Sequence, residues 1–97
     1  MIEEKLTELG IILPEPAAPV ASYVPTVEAG GMLYVSGQLP FVDGKVITGK
    51  VGDARSLADG QLAARACGIM LIAQIKKALG GDLDRVERIV KLGVFVA

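Results

Sequence analysis

The clearest pattern in the chain is a helical one. From Leu57 to Leu79, apolar residues Leu62, Ala63, Ala66, Ile69, Met70 and Ala73 recur at three- and four-residue spacing, and Ile75 and Leu79 widen the stripe. Ser56 followed three residues later by Asp59 resembles a capping arrangement, and Gly80-Gly81 supplies a stop behind Lys76 and Lys77. A shorter helix is predicted over Ile2 to Leu9, with Ile2, Leu6 and Leu9 in register, Glu3 and Glu4 in the first turn and Gly10 as its end. The prolines of Leu13-Pro-Glu-Pro-Ala-Ala-Pro19 then fix φ and remove donors, which predicts an extended connector.

Alternation with a period of two takes over in the middle. Tyr23 to Val27 reads as a short extended piece that Pro25 confines to an edge or bulge. Gly30-Gly31 marks a turn, and Met32 to Ser36 reads as a strand. Asp43-Gly44 between Phe41-Val42 and Lys45-Val46-Ile47 predicts a tight hairpin, so the three pieces suggest an antiparallel meander. Beyond the Asp82-Leu-Asp84 turn, Val86 to Val96 reads as a long strand. One face carries Val86, Arg88, Val90, Leu92, Val94 and Val96, apolar from Val90 onward and expected against the long helix. The other carries Glu87, Ile89, Lys91, Gly93, Phe95 and Ala97. One helix on a few strands leaves much of a sheet face bare, which other subunits or further sequence would have to cover.

Composition narrows the chemistry. The 97 residues allow one domain, and 52% apolar content predicts a packed core. A net charge of −1 provides no basic footprint for nucleic acid. Histidine is absent, which removes the commonest general base and metal ligand, and the single Cys67 makes neither an internal disulfide nor a zinc cluster. No run approaches the roughly 18 apolar residues of a membrane span, and the acidic start Met-Ile-Glu-Glu-Lys lacks the order of a secretory signal. The expected location is cytoplasmic.

Four segments carry a family resemblance. Pro19-Val-Ala-Ser-Tyr23, Leu33-Tyr-Val-Ser-Gly-Gln-Leu-Pro40, Gly81-Asp-Leu-Asp-Arg-Val86 and Val90-Lys-Leu-Gly-Val-Phe-Val96, in this order, resemble the Rid (YjgF-like) reactive-intermediate deaminase family. The acidic helix and Pro-rich lead-in, residues 1–18, mark a divergent branch. The resemblance implies an α+β, chorismate-mutase-like fold: a mixed, mostly antiparallel sheet with a long helix packed on one face. It also implies a single domain over residues 1–97, expected to be incomplete at its C-terminus, and a homotrimer with small-molecule sites between subunits. Typical members hydrolyse enamines and imines to a 2-keto acid and ammonia, without metal or organic cofactor. The substrate carries a carboxylate, and neither nucleic acid nor membrane is an expected partner.

Carried over residue by residue, Tyr23 would line the cleft and Ser36 would sit at its floor, both as catalytic residues. Gly37, Gln38 and Phe95 would contact substrate, Gly37 by letting backbone approach it. The family's arginine clamp and a glutamate that positions water would both lie beyond Ala97. Within the chain the candidate cations are Arg55, Arg65, Arg85, Arg88 and Lys91. Each reading has a plainer counterpart. Tyr23 beside prolines can simply pack its ring, Ser36 can be a structural hydroxyl bonded to backbone, and Gln38 next to Pro40 can satisfy a turn. Phe95 can be one exposed aromatic on a sheet, and Cys67 reads as a buried, inert thiol. Gly68 either weakens the helix or marks close packing. Two other functions share the fold: a non-catalytic ligand-binding or regulatory trimer using the same cleft, and ribonuclease activity. The latter lacks a basic stripe, a histidine and an aromatic platform here.

Overall fold

The computed structural model describes residues 1–16, 22 and 24–97. Helix α1, Ile2–Glu8, ends in Leu9 and Gly10. The N–H groups of Gly10 and Ile11 return to the carbonyls of Thr7 and Leu6 at 3.0 and 2.9 Å, with Gly10 at φ +71°. That paired return is a Schellman close, and the left-handed φ is why a glycine stands there. The long helix α2, Leu57–Ala78, closes in the same way, with Gly80 to Lys77 at 3.2 Å and Gly81 to Lys76 at 2.8 Å. Its start is a complete capping box. Asp59 N–H donates to Ser56 Oγ and Ser56 N–H donates to Asp59 Oδ2, each at 3.1 Å.

Between the helices lie two antiparallel hairpins. Strands β1, Thr26–Ala29, and β2, Met32–Val35, pair with Ala29 opposite Met32. Gly30 and Gly31 take the turn at φ +58° and +76°. Strands β3, Phe41–Val42, and β4, Lys45–Val46, are joined by Asp43 and Gly44, both at positive φ as a type I′ turn requires. The first ladder is continued by Ser36 N–H to Pro25 O at 2.9 Å and the second by Ile47 N–H to Pro40 O at 3.0 Å. Among the described residues the hairpins are separate two-stranded sheets and not one meander. Both contact α2, which lies across β1, β2 and β3.

The core sits where α2 meets its neighbours: Met70 and Ala73 on α2, Leu79 at its C-cap, Leu83 in the 3₁₀ turn Leu83–Arg85, and Leu6 on α1. Ile2 N–H donates to Asp84 Oδ1 at 3.0 Å and Lys76 Nζ reaches Glu3 Oε1 at 2.7 Å, so α1 is held at this end of α2. The accessible surface is 7286 Å², against roughly 5,300 Å² for a closed monomer of this mass. Exposed large apolar side chains contribute to it, among them Val27 and Tyr34 of the first hairpin and Ile89, Val90, Leu92, Val94, Phe95 and Val96 of the last segment.

That last segment corrects the sequence reading. Residues 86–97 form no strand. Their described backbone bonds are Val86 N–H to Leu83 O and Ala97 O from Val51 N–H. Val90, Leu92 and Val94, expected against α2, are 63%, 63% and 66% exposed. The alternation specifies a strand, but a strand needs a neighbouring edge. Each hairpin pairs internally, and neither extends a ladder to this segment.

Candidate functional site

Ser36 is placed by the first hairpin. Its N–H is bonded to Pro25, which fixes the backbone, while its Oγ is buried and has no hydrogen-bond partner among the described residues. Buried hydroxyls are nearly always paired, and leaving one unpaired costs about 1–3 kcal/mol, so this atom calls for an explanation. Gly37 follows with an open side: a Cβ built there meets nothing within 4 Å.

Gln38 is braced from several directions. Its Nε2 donates to Ser36 O at 3.1 Å, its Oε1 accepts from Gln74 Nε2 at 3.4 Å, and its carbonyl accepts from Cys67 Sγ at 3.4 Å. The connector after β2 is therefore pinned to α2 by two side chains about two turns apart along that helix. Gln74 is only 3% exposed. The sequence reading missed it, although the signal was present: four residues beyond Met70, Gln74 is a polar side chain inside the apolar stripe. Cys67 is half-buried where the sequence reading expected a buried thiol, and that partial burial pushes its pKa up.

Of the other expected site residues the structure describes Phe95 alone. Tyr23 lies outside the described residues. Phe95 is fully exposed on the unpaired segment 86–97, so no described residue holds it against Ser36. Two candidate cations have structural work: Arg55 Nε donates to Thr48 O at 2.7 Å, and Arg85 Nη1 to Leu79 O at 3.4 Å. Arg88 and Lys91 are exposed on the same segment as Phe95. Among the described residues no group of acidic, histidine or cysteine side chains is arranged to hold a metal ion.

Arg65 has a different setting. It lines an open groove of about 380 Å³ walled by Ile12 and Pro14 of the lead-in, Phe41 and Val42 of β3, and Leu62 and Ile69 of α2. Asp43 of the hairpin turn lines the same groove.

A braced Ser-Gly-Gln connector beneath a long helix, on hairpins with apolar surface still exposed, defines a class of small α+β proteins, and comparison with known proteins identifies it. The family model described as "YjgF/chorismate_mutase-like, putative endoribonuclease" matches residues 3–97, and the chain belongs to this YjgF-like, or Rid, family. The match reaches upstream of Pro19, where the motif resemblance began, and takes in nearly all of α1. Protein TCP17 of Trypanosoma cruzi is 50% identical over 96 residues, 98% of this chain and 59% of that protein. Protein mmf1, mitochondrial, of Schizosaccharomyces pombe is 33% identical over 75 residues, 77% of this chain and 38% of that protein. Two crystal structures share the fold. Atu1372 of Agrobacterium tumefaciens, of unknown function, has 46% identity and a TM-score of 0.80 over 92% of this chain and 54% of its own. A protein described as a putative endoribonuclease from Shewanella oneidensis MR-1 has 36% identity and a TM-score of 0.83 over 90% and 58%. The chain thus spans a little over half the length of these structures. The architecture is YjgF/chorismate-mutase-like, α+β with antiparallel strands under a long helix. Among the described residues no helix is long and apolar enough to cross a membrane.

Proposed function

We propose that the protein containing these residues hydrolyses small enamine or imine intermediates to a 2-keto acid and ammonia, as a cytoplasmic homotrimer with its sites between subunits. The observation that carries this reading is the buried, unpartnered Ser36 hydroxyl beside the open backbone of Gly37. In a family whose Ser-Gly-Gln strand faces a ligand cleft, that hydroxyl is a ready partner for water or substrate. The exposed apolar side chains of the first hairpin and of segment 89–96 offer a surface that neighbouring subunits would cover. Cytoplasmic location agrees with the unpaired Cys67 thiol.

The chemistry asks little of acid–base strength. An enamine first tautomerises to the imine, whose C=N carbon is already electrophilic. Water adds to that carbon while one of its protons passes to nitrogen, and the carbinolamine then expels ammonia: its hydroxyl proton moves to the departing nitrogen as the C–N bond breaks and the carbonyl forms. Ser36 Oγ can orient the water, and Tyr23 can exchange a proton with it. Gln38, pinned to Gln74, keeps the connector in one geometry. The substrate carboxylate needs a fixed cation. The resemblance assigns that role to an arginine beyond Ala97, so the proposal concerns the longer protein.

The test is release of 2-keto acid from a freshly generated dehydroamino acid, read against buffer, with labelled RNA as a parallel substrate. Acceleration of the first alone supports the proposal. A keto acid that binds without any acceleration would instead establish a binding-only trimer, and RNA cleavage by nuclease-free protein would replace the proposal outright.

A further inference from the structure

The groove between the lead-in, β3 and α2 has features that the hydrolase reading does not use. Neither Ser36, Gln38 nor Phe95 lines it. Its floor and sides are apolar, with Phe41, Leu62, Ile69 and the buried Met70 among the lining residues. Two charges of opposite sign share it, Asp43 and Arg65. They do not neutralise each other. The ion pairs among the described residues are Lys5–Glu8 and Lys76–Glu3, and among those residues neither Asp43 nor Arg65 makes a side-chain hydrogen bond.

We propose that this groove binds a free α-amino acid with an aliphatic or thioether side chain, its carboxylate on the Arg65 guanidinium and its ammonium on the Asp43 carboxylate. An opposite pair left open over an apolar floor selects against singly charged ligands. A simple carboxylate gains Arg65 but meets repulsion from Asp43, and a simple amine meets the reverse. A zwitterion satisfies both and lays its apolar body on Phe41 and Ile69. Both charges sit on rigid supports: Asp43 in a two-residue turn at φ +52°, Arg65 on a helix capped at both ends. At about 380 Å³ the groove falls at the small end of ligand sites, near ~300 Å³, as suits a compound of about nine heavy atoms.

The experiment is calorimetric titration of the full protein at low salt with L-leucine. Two truncated analogues, 4-methylpentanoate and 3-methylbutylamine, accompany it, with glycine as the ligand lacking an apolar body. Leucine should bind with a dissociation constant on the order of 1 mM, and each analogue should bind about tenfold more weakly. D43N and R65Q should each weaken leucine by a similar factor. D43N should also abolish the preference for leucine over 4-methylpentanoate, a change that a general loss of stability would not produce. Both variants should fold, because Asn-Gly suits the type I′ turn and Gln suits an exposed helix position. Equal binding of leucine and 4-methylpentanoate, unchanged leucine binding by either variant, or no heat with leucine overturns the proposal. The site stands apart from Ser36, so hydrolase activity and leucine binding fail independently.

Discussion

Two glycines on α2 should respond in opposite directions when given a methyl group. A Cβ at Gly60 would fall 2.8 Å from Val51 Cγ2, where carbon atoms prefer about 3.5–4.0 Å. Val51 cannot easily swing away, because a β-branched side chain is stiff at χ1 and its backbone N–H is bonded to Ala97 O at 2.9 Å. At Gly68 the same Cβ meets nothing within 4 Å. Replacing glycine by alanine inside a helix is worth about 0.5–1 kcal/mol, and forcing a methyl into filled space costs about 1–3 kcal/mol. Gly68→Ala should therefore stabilise the fold by about 0.5–1 kcal/mol. Gly60→Ala should destabilise it by up to ~2 kcal/mol, less for the helical gain at a first-turn position. Urea unfolding followed by circular dichroism measures both, as shifts of midpoint at constant slope. Adding Val51→Ala to Gly60→Ala should recover most of the clash. The reasoning fails if Gly60→Ala is as stable as Gly68→Ala. It fails differently if Gly68→Ala loses stability, since a neighbouring subunit or further chain would then occupy that side of the helix.

Two further outcomes concern the ends and middle of α2. Ser56→Ala should cost about 1 kcal/mol by removing one bond of the capping box. The backbone and side-chain hydrogen bonds from Ser56 hold the Asp59 carboxyl below its ordinary value of 3.8. A depressed folded pKa stabilises the fold above the ordinary carboxylate range, and that contribution disappears as pH falls through the folded value. Urea midpoints taken between about pH 6 and pH 2 should therefore decline somewhat less steeply for Ser56→Ala, which keeps the backbone bond to Asp59, than for the parent, and parallel declines would show that the Ser56 hydroxyl does not tune Asp59. Cys67, its pKa raised by burial, should react with a disulfide reagent at neutral pH more slowly than a small free thiol. An equal or faster rate would mean that the thiol is neither shielded nor held protonated.

Local chemistry made much of the fold legible. Gly10, Gly30-Gly31, Asp43-Gly44 and Gly80-Gly81 all stand at left-handed φ in turns or helix ends, because such positions admit few other residues. The Ser56–Asp59 cap and the apolar stripe of α2 follow from helix geometry alone. Segment 86–97 was not legible in this way. Its alternation states a preference for pairing, whereas pairing needs a partner edge in register, and neither two-stranded hairpin pairs with it. Ser36 was identified by motif, but its unpartnered hydroxyl follows from three-dimensional packing. The Gln38–Gln74 amide contact spans 36 positions and has no local signal beyond one polar residue in an apolar stripe. The opposed charges of Asp43 and Arg65 likewise come to share one groove only because the second hairpin and α2 line it together.

The measurement that bears most directly on the proposed chemistry compares three traces of 2-keto acid release from the same freshly generated dehydroamino acid: buffer, the full-length protein, and its Ser36→Ala variant. The protein should accelerate release well beyond buffer, and loss of the Ser36 hydroxyl should reduce that acceleration by about 10²-fold with circular dichroism unchanged. A protein trace that superimposes on buffer, or a Ser36→Ala variant as fast as the parent, contradicts the account.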